Sequence, residues 1–95
     1  MTAVVYTLRA LDDLDRIEDF LLEVDAPAAR KAIPLIVSAI EILCQHPNVG
    51  RRRGSQVREL VISRGKTGYV ALYRYDEIRD VARVLAIRHQ REIGL

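Results

Sequence analysis

Residues 57–89 read VRELVISRGKTGYVALYRYDEIRDVARVLAIRH, and this stretch decides the fold. Three runs rich in β-branched and aromatic residues, VRELVISR (57–64), TGYVALYRYD (67–76) and RDVARVLAIRH (79–89), are separated only by Gly65-Lys66 and Glu77-Ile78. Such residues suit a pleated, half-buried surface, and connections this short join antiparallel neighbours, so the stretch predicts a β-meander.

Upstream of the meander the hydrophobic period changes from two to 3.6. Between Ala10 and Val24, Leu11, Leu14, Ile17, Phe20, Leu21 and Val24 recur at helical spacing, and Asp12, Asp13, Asp15, Glu18, Asp19 and Glu23 take the other positions. The pattern is that of an amphipathic helix with an acidic outer face. Asp25 with Pro27 reads as the capped start of a second helix, whose apolar set Ala29, Ala32, Ile33, Ile36, Val37, Ile40, Leu43 and Cys44 runs on to His46. Pro34 inside that pattern predicts a kink, not a break. The segment AVVYTL (3–8) reads as a first strand that joins the edge of the sheet or pairs beside the last strand's neighbour. HPNVGRRRGS (46–55), with Pro47, Gly50 and Gly54, reads as a loop. The order is therefore β-α-α-β-β-β: an α+β fold with a helical hairpin packed on one face of a twisted antiparallel sheet, the other face open for binding.

At 95 residues the chain has room for one core, so residues 1–95 are expected to form a single domain. No apolar run reaches the roughly 18 residues of a membrane span, and Arg9 and Asp12 stand where a secretion signal would be apolar, which predicts a cytoplasmic protein with no membrane partner. The single Cys44 fits a reducing compartment and reads as a buried small hydrophobe. Net charge is only +2, but residues 1–48 carry 4 Lys/Arg against 8 Asp/Glu, and residues 49–95 carry 11 against 5. The second half is thus the candidate anion-facing side. There is no Gly-rich phosphate loop, zinc-ligand spacing or nucleophile elbow, so no cofactor and no metal are expected.

Two helices, the HP-x-x-GRR loop from His46 to Arg52, RELVIS from Arg58, GYVALYRYD from Gly68 and VLAIRHQRE from Val84 occur in this order along essentially the whole chain. In this the chain resembles the ParE/RelE superfamily of toxins from bacterial type II toxin–antitoxin pairs, and the ParE-like branch in particular. The resemblance implies a toxin silenced by a cognate ParD-like antitoxin, whose C-terminal segment wraps it in the cleft between hairpin and sheet, giving a hetero-oligomer. Leu14, Ile17, Leu21, Tyr73 and Tyr75 are the expected antitoxin contacts.

Two mechanisms are open within that superfamily. A ParE-like toxin poisons DNA gyrase by trapping its cleaved-DNA complex and needs only a binding surface, for which Arg51, Arg52, Arg53, Arg88, His89 and Arg91 are the candidates. A RelE-like toxin cuts messenger RNA on the ribosome and needs a base, an acid and a cation, for which Glu59, Arg74 and His89 are the candidates. The mild net charge and a tail ending Ile93-Gly94-Leu95, without tyrosine, favour the gyrase reading. A binding module without toxicity is a third reading. Each candidate also has a bland one: the arginine run as solvated surface, Arg58 beside Glu59 as an exposed ion pair, the tyrosines as cover for the sheet, and His89 as a polar strand end.

Overall fold

The computed structural model describes residues 1–63 and 68–89. β1 (Ala3–Tyr6) leads into α1 (Leu8–Val24) and α2 (Ala26–Ile40), followed by a 3-10 turn over Glu41–Cys44 and strands β2 (Arg51–Arg52), β3 (Arg58–Val61), β4 (Tyr69–Asp76) and β5 (Val81–His89). The class and element order are those expected, with three differences that have physical causes.

The first is the sheet, which is mixed and not wholly antiparallel. Its order is β1-β5-β4-β3-β2, with β1 running parallel to β5 through Ala3 opposite Val81 to Tyr6 opposite Val84. Short turns dictate antiparallel pairing only for the strands they join, and β1 and β5 are joined by the whole of the rest of the chain. The second is β2, which forms inside the segment expected to be loop. Arg51 lies opposite Glu59 and Arg52 opposite Arg58, and Arg53 N–H donates to Val57 C=O at 2.8 Å to close the hairpin, with Gly54 at φ +93° in its connection.

The third difference lies at the helix ends. α1 begins before Ala10, because Thr7 is its N-cap: the hydroxyl accepts Ala10 N–H at 3.1 Å. Asp25 caps α2 as expected, accepting Ala28 N–H at 3.1 Å, and the helix continues past Pro34 to Ile40. It does not reach His46, since the 3-10 turn takes over at Glu41. Cys44, expected to be buried, is half-buried.

The core lies between the hairpin and one face of the sheet. Leu14 and Ile17 of α1 and Ile36 and Ile40 of α2 pack with Tyr69, Ala71 and Tyr73 of β4 and Ala82, Val84 and Ile87 of β5. Only part of α1's apolar stripe is used: Phe20 is 63% exposed and Val24 62%.

Candidate functional site

Past Val84, β5 loses β1 as a neighbour, and the start of α1 takes its place. Thr7 N–H donates to Val84 C=O at 3.0 Å and the Thr7 hydroxyl to Leu85 C=O at 3.2 Å. One carboxylate oxygen of Asp13 then accepts Ile87 N–H at 2.9 Å, and the other meets the Arg88 guanidinium at 2.8 Å, with Arg16 at 3.5 Å. Asp13 is 6% exposed, so it belongs to the interior and not to the acidic outer face where its spacing placed it. Its partner Arg88, expected to touch a target, is held in this ion pair with its side chain 18% exposed. The sequence signal that could have found Asp13 is its spacing one position before Leu14 and four before Ile17, which puts it at the border of the buried stripe.

The HP-x-x-GRR loop packs over the end of the core. The Tyr73 hydroxyl donates to Pro47 C=O and accepts Gly50 N–H, both at 2.8 Å, while Arg58 donates to the carbonyls of Asn48 at 3.1 Å and Gly50 at 2.9 Å. Burial raises the Tyr73 pKa above its ordinary value, with the Gly50 hydrogen bond and the Arg58 charge opposing. A Cβ on Gly50 would fall 2.6 Å from the Tyr73 ring, so the loop approaches closely enough to require glycine. Arg58 is therefore a staple of this loop and not half of an ion pair with its neighbour.

Glu59 is enclosed by the arginine run. Arg53 meets one carboxylate oxygen at 2.9 Å and Arg51 the other at 3.5 Å, and the Glu59 side chain is 10% exposed against 84% for Arg51 and 50% for Arg53. Arg52 lies opposite Arg58 and is exposed. Arg74 is also exposed and donates to the side chain of Gln56.

His89 is placed elsewhere. It lies opposite Tyr69 in the sheet, its ring edge-on to the tyrosine at 5.3 Å. Tyr69 and Arg74 are five residues apart on β4, about 17 Å of strand. Glu59 lies opposite Leu72, whose side alternates with that of Tyr69, so Glu59 and His89 point to different faces of the sheet. The structure thus does not bring Glu59, Arg74 and His89 together.

Of the expected antitoxin contacts, Leu14, Ile17 and Tyr73 are core residues, withdrawn from any partner while the hairpin is docked, and Leu21 is half-buried against the core. The apolar stripe of α1 serves the core first, which leaves its C-terminal part open at the surface. Tyr75 is half-buried, and its hydroxyl donates to Asp80 Oδ1 at 2.7 Å. The Thr2 hydroxyl donates to the same oxygen at 2.6 Å. These two hydroxyls hold the Asp80 carboxyl below its ordinary pKa, and the bond to Asp80 raises that of Tyr75. Arg91 lies outside the described residues. Among the described residues no helix is long and apolar enough to cross a membrane, and no group of three or more His, Cys, Asp and Glu could hold a metal ion.

Comparison with known proteins agrees with this architecture. The solved chromosomal ParDE toxin–antitoxin system of P. aeruginosa contains a chain that superposes with a TM-score of 0.77 at 30% identity, over 94% of this chain and 96% of that one. The intact RelBE complex of E. coli shares the fold, with a TM-score of 0.59 at 13% identity over 94% of this chain and 96% of the other. In sequence, the chain is 42% identical to Toxin RelE3 of Caulobacter vibrioides over 97% of this chain and 98% of the relative. It is 37% identical to Toxin RelE1 of the same organism over 75% and 76%. The profile described as the ParE toxin of the type II toxin-antitoxin system parDE matches residues 4–94. The chain belongs to the ParE toxin family of type II toxin–antitoxin systems, within the ParE/RelE superfamily.

Proposed function

We propose that this toxin acts by binding and not by chemistry, poisoning DNA gyrase by trapping its cleaved-DNA complex, and that a cognate ParD-like antitoxin neutralises it. The observation that carries this reading is the separation of the ribonuclease candidates. A base, an acid and a charge-stabilising cation must all reach one phosphodiester. Here Glu59 is enclosed by Arg51 and Arg53, and His89 stands about 17 Å along the strand direction from Arg74 on the other face. A toxin that traps its target needs only a surface, and exposed Arg51, Arg52 and Arg53 supply a cationic one.

The antitoxin reading is supported by the solved relatives, which are toxin–antitoxin complexes. With Leu14 and Ile17 in the core, its contacts on α1 shift to exposed Phe20 and Val24, one turn apart, beside half-buried Leu21. Covering such residues is how an amphipathic segment gains affinity on folding against a groove.

The names of the Caulobacter relatives support a RelE-like messenger endoribonuclease as the second reading. Both are tested with purified toxin in a gyrase supercoiling assay beside a ribosome-programmed messenger cleavage assay. Loss of supercoiling with accumulation of linear plasmid is expected, little changed by His89→Ala. Full supercoiling together with specific cuts in ribosome-bound messenger would overturn the gyrase reading.

A further inference from the structure

Two pairs of arginines face each other across adjacent strands: Arg52 with Arg58 between β2 and β3, and Arg74 with Arg83 between β4 and β5. Like charges directly opposite in a sheet destabilise it. None of these four has a carboxylate within ion-pair distance among the described residues. Arg58 is satisfied by carbonyls and Arg74 by the Gln56 amide, which provide hydrogen bonds but leave the positive charge in place. All four line a single cavity of about 620 Å³, together with Arg79. Its acidic lining is Asp76 and Glu77, and Asp76 is already engaged by Arg79 at 3.6 Å and by the N–H groups of Ile78 and Arg79. Arg52 and Arg58 stand in register with core-facing Tyr73, whereas Arg74 and Arg83 lie one position on and share the outer face of the sheet, so the unneutralised guanidinium pair that an anion can meet from that face is Arg74 with Arg83.

We propose that this cavity binds the phosphate backbone of duplex DNA. Guanidinium is suited to the paired oxygens of a phosphodiester. Among the described residues Tyr75 is the one aromatic side chain lining the cavity, and its hydroxyl is tied to Asp80. Single-strand binders combine a cationic groove with several aromatic platforms on which successive bases stack. A cationic cavity with one tethered ring fits a duplex, whose bases are already stacked and whose phosphates face outward. The proposal rests on the gyrase reading for the source of that duplex, the DNA the target enzyme holds, and adds that the toxin grips this DNA itself through Arg74 and Arg83.

The test is fluorescence anisotropy of a short labelled duplex and a single-stranded RNA of equal length across a salt series. Wild type is compared with Arg74→Ala/Arg83→Ala and with Arg9→Ala/Arg30→Ala, which removes the same charge from the helical hairpin. Removing two phosphate contacts should lower the slope of log affinity against log salt by about 1–2 and weaken duplex binding about tenfold or more at low salt. The hairpin variant should keep the wild-type slope. Thermal midpoints measured alongside should not fall for Arg74→Ala/Arg83→Ala, since a repulsive pair is removed. Equal slopes for all three proteins, or tighter binding to the RNA than to the duplex, would overturn the proposal. Gyrase assays on the same proteins separate the two readings. Inhibition by wild type and by the Arg74/Arg83 variant alike would sink the DNA site and leave the gyrase reading standing. Duplex binding that depends on these arginines, without gyrase inhibition, would do the reverse.

Discussion

Single residues in this protein take their meaning from what they satisfy. Tyr73 reads in the sequence as one of three strand tyrosines, yet its hydroxyl joins two backbone groups of the HP-x-x-GRR loop, Pro47 C=O and Gly50 N–H. Tyr73→Phe keeps the ring and strands both groups, for an expected loss of about 1–3 kcal/mol. Gly50→Ala, which drives a methyl against the buried ring, should cost a similar amount by overpacking, about 1–3 kcal/mol. Urea denaturation measures both, and unchanged stability in either variant would show that the loop does not depend on this contact. Asp80 is a residue of the same kind. It sits at φ +55°, a conformation Asn also tolerates, so Asp80→Asn removes the charge and keeps the backbone. Because the folded carboxyl has a lowered pKa, the charged form stabilises the fold at pH values above the unfolded pKa of about 3.9. That contribution is lost as pH falls through the lower, folded value. The stability advantage of wild type over Asp80→Asn should be constant near neutrality and shrink on acidification through this window. An advantage that grows as pH falls would contradict the lowered pKa.

At the scale of elements, legibility followed the range of the interaction. The meander, the hairpin and the Asp25 cap were all readable, because turn length, apolar period and capping chemistry are local. β2 was not, since Arg51 and Arg52 have no strand pattern and are extended by pairing with β3. The parallel β1–β5 pair and the role of Asp13 were hidden for the same reason: each joins parts of the chain more than seventy positions apart. Asp13 caps the edge of β5 that β1 leaves uncovered, and an uncovered edge presents unpaired backbone groups. Removing one member of a mostly buried ion pair costs about 3–5 kcal/mol because the other is left uncompensated. Asp13→Ala should therefore lose about that much stability, a large part of the total for a domain of this size, and the Ile87 amide should exchange its hydrogen faster in any variant that still folds. A loss well under 1 kcal/mol with slow Ile87 exchange would mean that α1 covers this edge through packing alone.

Across the whole molecule the segregation of charge along the chain becomes a segregation in space. Residues 1–48, which hold 4 basic and 8 acidic side chains, form β1 and the helical hairpin. The basic remainder supplies the rest of the sheet, so the net charge of +2 understates the field at the sheet end, where the arginines gather. A field of this shape orients the molecule as it approaches a polyanion and raises the encounter rate, by about 10- to 1,000-fold in steered associations, with a steep fall as salt is added. The candidate site was legible to this extent: the sign and the half of the chain were readable, but the particular arginines were not. Arg88 is held by Asp13 and Arg83 meets Arg74, neither of which spacing alone reveals, because strand register decides which guanidinium groups meet. If the target is the DNA-bound enzyme proposed above, the association rate should fall at least about tenfold between low and high ionic strength, within the range expected of steered encounters. Binding of an antitoxin segment over Phe20 and Val24, the contacts proposed above, which are apolar and exposed, should change far less over the same range. Stopped-flow mixing with gyrase–DNA and with antitoxin in parallel measures both rates. Equal salt dependence for the two partners would mean that the charge segregation does not distinguish target from antitoxin, and that the two share the cationic end of the sheet.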